Sequence, residues 1–107
     1  MTNKKSNVPI DETQAFKLLE KLSPGWQIDQ TDAMQLWRDF QLEDFSEAIK
    51  FINKIAIIAE SQNHHPDLLL HDYRQVTVSL TTHSVGGLTE LDFNLAEQIS
   101  EIWQGSD

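Results

Sequence analysis

The sequence predicts an α+β domain: a two-layer sandwich of a four-stranded antiparallel sheet with three helices on one face. Two observations carry this. Three segments place apolar residues at helical spacing, each opened by a capping residue, and other segments alternate apolar and polar residues as half-buried strands do. Their order is helix, strand, strand, helix, strand, strand, helix, and the short links between successive strands imply antiparallel pairs. A chain of 107 residues fits one domain, and a domain of that size buries about two-thirds of its unfolded surface without needing staples.

Residues 1–9 are polar and carry Lys4 and Lys5, so the chain reads as a mobile tail followed by one domain over residues 10–107. Asp11 with Gln14 three residues on forms a capping pattern, and Ala15, Leu18, Leu19 and Leu22 give the first helix its apolar stripe. Ser23-Pro24-Gly25 stops it. Trp26 and Ile28 alternate as a short strand, and Met34, Leu36, Arg38, Phe40 and Leu42 recur every second residue as its hairpin partner. Asp44 with Glu47 opens the second helix. The apolar positions between Phe45 and Ala59 fill roughly half the helix circumference, wider than the usual stripe of about 100°, and Ile57 points out of the polar side. A helix this apolar is expected to touch more than its own sheet.

Pro66 forces the preceding residue out of helical geometry, so this helix ends by about His65. Leu68, Leu69 and Leu70 begin a third strand that runs to Tyr73. In the fourth, Val76, Val78 and Leu80 face one way, and Thr77, Ser79, Thr81 and His83 the other. Gly86-Gly87 turns the chain, and Thr89 caps a last helix with Leu91, Leu95, Ala96, Ile99, Ile102 and Trp103 on one side.

Seventeen acidic and eight basic residues leave a net charge of −9, which argues against binding a phosphate backbone. It points to a small-molecule or protein partner. There is no cysteine, hence no disulfide, thiolate zinc site or cysteine nucleophile, which agrees with a cytoplasmic location. No signal peptide is expected, and the longest apolar run, residues 55–59, is far too short to span a membrane.

Three of the four histidines stand out: His64 and His65 between Glu60 and Asp67, and His83 after Thr82. Histidine is the side chain best suited to exchange protons near neutrality, and the partial negative charge of a helix C-terminus favours imidazolium at His64 and His65. His83, leaving the fourth strand on its polar face, could converge on the same pocket. A metal site is the rival reading, but adjacent residues seldom both reach one ion, and no His-Glu-x-x-His pair exists. A polar helix terminus without chemistry is the bland one. Asp92 stands three residues after Thr89, with Leu88 and Phe93 in staple positions, and is read as a capping carboxylate rather than a catalytic one. His71 has no evident partner and is read as structural or exposed.

Together these residues resemble the pterin-4a-carbinolamine dehydratase family, whose pattern is a Glu, three residues, His-His-Pro, an aromatic, Thr-His, Gly-Leu-Thr and an Asp. Here it stands as Glu60, His64-His65-Pro66, Tyr73, Thr82-His83, Gly87-Leu88-Thr89 and Asp92. Gly25-Trp26, Leu36, Arg38, Phe40, Phe45, Ala48, Phe51 and Ala59 also match, so the likeness spans residues 13–103. Asn63 and Leu68 depart from some members, which have an acidic and an aromatic residue there.

The resemblance implies dehydration of 4a-hydroxytetrahydropterin to quinonoid dihydropterin, recycling the cofactor of an aromatic amino acid hydroxylase. It implies the catalytic set His64, His65 and His83, with His64 and His83 as the acid–base pair and His65 positioning the substrate. Glu60, Asn63, Pro66, Asp67, Thr82 and Ser84 would surround the pterin. It implies no metal and no cofactor, and a homodimer or homotetramer. The alternatives it leaves are a non-catalytic binding or dimerisation module on the same fold, and a pterin role in molybdopterin metabolism.

Overall fold

The computed structural model describes residues 8–104, so the expected tail lies outside the described residues except for Val8 and Pro9, which are exposed. Local chemistry sets the helix starts as expected. The Asp11 carboxylate accepts from the backbone N–H of Gln14 at 2.8 Å and opens α1 (Glu12–Lys21); Asp44 does the same with Glu47 at 2.8 Å and opens α2 (Phe45–Gln62). Between them lie β1 (Gln27–Asp29) and β2 (Gln35–Gln41), and after α2 come β3 (Asp67–His71), β4 (Gln75–Leu80) and α3 (Glu90–Gln104).

The strands form one antiparallel sheet in the order β1-β2-β4-β3, with the three helices on one face. Leu36 pairs with Leu80, Arg38 with Val78 and Phe40 with Val76, so the inward residues of the two central strands lie side by side. All but Arg38 are essentially fully buried aliphatic or aromatic residues. They pack beneath Ala48, Phe51, Ile55 and Ala59 of α2 and Leu95, Ala96 and Ile99 of α3. Phe40 sits at the centre, its ring 5.0 Å from that of Phe51, 5.6 Å from that of Trp103 and 5.8 Å from that of Trp26.

Arg38 occupies a core-facing position on β2 and is 9% exposed. Its guanidinium carbon lies 4.5 Å from the centre of the Phe40 ring and 4.9 Å from that of Trp103, while Nη1 donates to Ser100 Oγ at 3.3 Å. Ser100 Oγ also accepts from Trp26 Nε1 at 2.8 Å. Burial lowers the pKa of this guanidinium below its ordinary value. The arginine therefore links sheet and α3 through two rings and a shared hydroxyl.

The opposite face of the sheet mixes polar residues with Trp37 and the exposed Leu69. Thr77 Oγ1 donates to Asp39 Oδ1 at 2.5 Å and is met by His71 Nε2 at 3.0 Å, while His71 Nδ1 lies 2.9 Å from Asp72 Oδ2. His71, for which the sequence showed no partner, is thus held at both ring nitrogens. The third strand is shorter than expected, because Asp72 and Tyr73 both take positive φ, at 49° and 54°, and turn the chain before Tyr73 can pair.

Gly25 shows how closely the core is fitted around Arg38. It holds φ at +115°, and a Cβ added there would lie 2.5 Å from Arg38 Nε. Because Arg38 is clamped between two rings, it cannot swing aside freely. Gly25→Ala is expected to destabilise the fold by about 1–3 kcal/mol. A melting curve should fall by roughly 4–8 °C for each kcal/mol lost; an unchanged midpoint would show that Arg38 is not locked.

Candidate functional site

Three chain segments meet at one end of the sheet. The first is the end of α2. The helix stops at Gln62 because Asn63 adopts the left-handed conformation, φ 51° and ψ 42°. Its N–H reaches Glu60 O at 3.2 Å, and the N–H of His64 reaches Ala59 O at 3.1 Å, which together make a Schellman cap. Pro66 was expected to end the helix by about His65; the stop comes earlier, at Asn63, the non-glycine residue best able to take this conformation. The cap sets His64 immediately past the helix with its ring turned inward, 8% exposed, whereas His65 stays on the surface.

The second segment is the exit of β4. The expected strand to His83 ends at Leu80. Thr82 pairs back with Gly87 across a closed loop, its N–H bonding Gly87 O at 2.8 Å. Gly86, at φ 69°, lets its own N–H reach His83 O at 3.1 Å. His83 thereby begins a short 3-10 turn at His83–Val85, and its exposed ring makes no hydrogen bond among the described residues.

The third is the start of α3, where Asp92 is fully buried. Its Oδ2 accepts from the Thr89 N–H at 3.0 Å, the capping contact expected from the sequence. The same oxygen accepts from the Thr82 hydroxyl at 2.8 Å. The other oxygen, Oδ1, lies 2.6 Å from His64 Nε2. With Asp92 ionised, the carboxylate only accepts, so Nε2 would carry the proton between them and Nδ1 would be left to exchange one. Asp92 is therefore both cap and histidine partner. Reading the sequence alone missed the second role, because the spacing that marks a cap is silent about a histidine 28 residues away.

His64, His65 and His83 line one cleft of about 290 Å³, with Asn63, Thr82 and Ser84 also on its wall. Five of the six expected surrounding residues have a distinct place. Asn63 is both cap and wall; Thr82 is buried beneath the floor contacts of Asp92; Ser84 is exposed at the rim. Glu60 touches the cleft only through His65, whose Nε2 lies 2.6 Å from Glu60 Oε2, an exposed pair. Asp67 lines a different cleft, of about 200 Å³, shared with His83. The sixth, Pro66, lines neither and acts on the backbone. Among the described residues, no group of three or more His, Cys, Asp or Glu is placed to hold a metal ion. Among the described residues, no helix is long and apolar enough to cross a membrane.

A family model described as pterin 4 alpha carbinolamine dehydratase matches residues 8–102. A putative pterin-4-alpha-carbinolamine dehydratase of Sulfurisphaera tokodaii is 49% identical over 93 residues, 87% of this chain and 95% of that protein. The mitochondrial pterin-4-alpha-carbinolamine dehydratase 2 of Arabidopsis thaliana is 39% identical over 101 residues, 94% of this chain but 54% of that protein, so the chain spans about half of it. In structure, the chain is similar to a transcriptional coactivator/pterin dehydratase from Brucella melitensis: TM-score 0.83, 34% identity, 90% of this chain and 99% of that one. A pterin dehydratase-like RuBisCO assembly factor of the alpha-carboxysome shares the fold, with TM-score 0.62 at 15% identity over 73% of this chain and 88% of that one.

The double duty of Asp92 sets an expectation for its loss. Asp92→Ala leaves His64 Nε2, the Thr82 hydroxyl and the Thr89 N–H without their acceptor. A lost cap alone costs about 1 kcal/mol. Stranding further buried donors should bring the loss to about 2–4 kcal/mol in a denaturant titration; a loss no larger than that of the cap would mean that the His64 contact adds nothing to stability.

Proposed function

Because the chain belongs to the pterin-4-alpha-carbinolamine dehydratase family, a family of hydro-lyases, we propose that it removes water from a 4a-hydroxytetrahydropterin to give the quinonoid dihydropterin. The observation that carries this reading is the pairing of unlike histidines on one cleft: His64, buried and anchored through Nε2 to Asp92, and His83, exposed and unanchored.

The reaction needs two proton transfers. The departing hydroxyl must gain a proton as the carbon–oxygen bond breaks, and the neighbouring ring nitrogen must lose one as the carbon–nitrogen double bond forms. His64 suits the second task. When Nδ1 takes the proton, the buried carboxylate on Nε2 stabilises the imidazolium that results. His83 then serves as the acid, free to regain its proton from solvent between turnovers. His65, held by Glu60 at the rim, positions the ring. The pathway that fits is recycling of the pterin cofactor of an aromatic amino acid hydroxylase, in the cytoplasm.

Purified protein treated with a chelator should convert synthetic 4a-hydroxytetrahydropterin faster than the spontaneous reaction, followed by the absorbance of the quinonoid product. A rate equal to background would favour a non-catalytic module on this fold. His64→Ala and His83→Ala should each lower kcat by about 10²–10⁴, the usual worth of a positioned acid or base. His65→Ala should raise KM more than it lowers kcat; the reverse pattern would reassign His65 to proton transfer.

The same reading includes self-association through α2. Its surface carries Phe45 at 53% and Ile49 at 38% exposure on one side and Ile57 at 71% on another, apolar surface that an isolated monomer would leave wet. Light scattering should give a dimer or tetramer, and Ile57→Glu should shift it toward the monomer. A monomeric wild type at micromolar concentration would leave these residues as ordinary surface.

A further inference from the structure

The hydroxyls beneath the cleft point one way. Thr82 is 5% exposed, and Thr89 and Asp92 are fully buried, so protein groups have to complete their hydrogen bonds. Thr82 Oγ1 lies 2.8 Å from Asp92 Oδ2 and 2.9 Å from Thr89 Oγ1. A hydroxyl has one proton to give, and with Asp92 ionised the carboxylate only accepts. The Thr82 proton then goes to Asp92, and the Thr89 proton goes to Thr82 Oγ1. Thr89 Oγ1 in turn accepts from the backbone N–H of Leu91 at 3.2 Å. Reversing the middle bond would take one donor from Asp92 Oδ2. It would also leave the Thr89 proton without an acceptor among the described residues.

Thr82 lines the cleft, yet its only hydroxyl proton is committed to Asp92 and not to anything the cleft holds. That suits a support for Asp92 better than the pterin contact the resemblance implied for this residue. Asp92 Oδ2 is held by two donors, the Thr82 hydroxyl and the Thr89 N–H, which together fix the plane of the carboxylate. Oδ1 is thereby aimed at His64 Nε2, 2.6 Å away. Which ring nitrogen of a neutral histidine carries the proton is set by the hydrogen bond that the ring makes. With a donor to Oδ2 removed, the carboxylate gains freedom to turn, and the imidazole loses the fixed acceptor that selects its tautomer.

We propose that Thr82 and Thr89 are positioning residues: their hydroxyls form a one-way chain that locks Asp92 onto Nε2 of His64 and so keeps Nδ1 as the nitrogen free to exchange a proton. Both act through Asp92 and neither donates a hydrogen bond to the substrate. The kinetic part of this inference rests on the dehydratase reading. The tautomer of His64 does not, so the two can fail separately.

Heteronuclear NMR of the isotope-labelled full chain, at a pH high enough to leave the imidazole neutral, reads the tautomer directly. Wild-type His64 should carry its proton on Nε2. Thr82→Val puts a methyl group of similar size in place of the hydroxyl. It should mix the two tautomers and lower kcat by about 10- to 100-fold, with KM held within about threefold. Thr82→Ser, which keeps the hydroxyl, should restore both. Thr89→Val should move both readouts the same way by less, since the Thr82 hydroxyl still reaches Asp92, and Thr89→Ser should restore them. This second pair decides the matter if Thr82→Val does not fold. A purely structural role would lower the melting midpoints but leave the tautomer and the kcat of the folded protein unchanged, and that result would overturn the proposal. So would a Thr82→Val variant whose KM rises while kcat holds, because that marks a direct substrate contact. Wild-type His64 protonated on Nδ1 would overturn it without any variant. A wild type with no turnover above background would remove the dehydratase reading alone and leave the tautomer to decide this one.

Discussion

The Asp92 carboxylate gathers hydrogen-bonding groups from three segments, the farthest of them 28 residues away in the chain. His64 hangs from the end of α2, Thr82 follows β4, and Thr89 precedes α3. Burying an ionised carboxylate is expensive unless every lone pair that loses water finds a donor. Here the donors are supplied by the elements that have to converge to make the cleft. Folding the site and satisfying Asp92 are therefore one event: the helix end cannot drift from the loop without stranding a buried charge. The Thr82 and Thr89 hydroxyls, 2.9 Å apart, close the network around it.

That anchoring also separates three histidines that residue type alone makes equivalent. His64 is held by a fully buried carboxylate, His65 by an exposed one, and His83 by none among the described residues. The first contact is shielded from solvent, whereas the His65–Glu60 pair is open to water and salt. Like groups thus stand in unlike environments around one cleft. The sheet beneath is indifferent to this chemistry. Its inner face is packed around Phe40 and the clamped Arg38, and its outer face carries the polar chain of Asp39, Thr77 and His71.

Much of this architecture is already present in local patterns. Asp11, Asp44 and Thr89 open the helices they were expected to open, since a cap depends on residues within one turn. The alternation of Val76, Val78 and Leu80 gives the buried face of β4 because a strand has a period of two. The clustering of His64, His65 and His83 is legible for the same reason: a helix end and a strand end joined by one hairpin are bound to lie near each other. Element ends were less legible. The strand expected to reach His83 stops at Leu80 because Thr82 closes its own loop with Gly87, a contact that no periodicity announces.

What the sequence by itself determined, then, is the order of elements, the inward residues of each and the set of histidines at one end. Local propensity and hydrophobic period suffice for these, because each depends on residues a few positions apart. The tertiary structure alone decided that Asp92 serves His64 as well as the helix cap, that His71 has partners at both nitrogens, and that Asp67 faces a second cleft instead of the first. Each of these depends on where one segment lies relative to another. A carboxylate looks the same in the sequence whether it meets water, a backbone N–H or an imidazole, and only packing chooses among them.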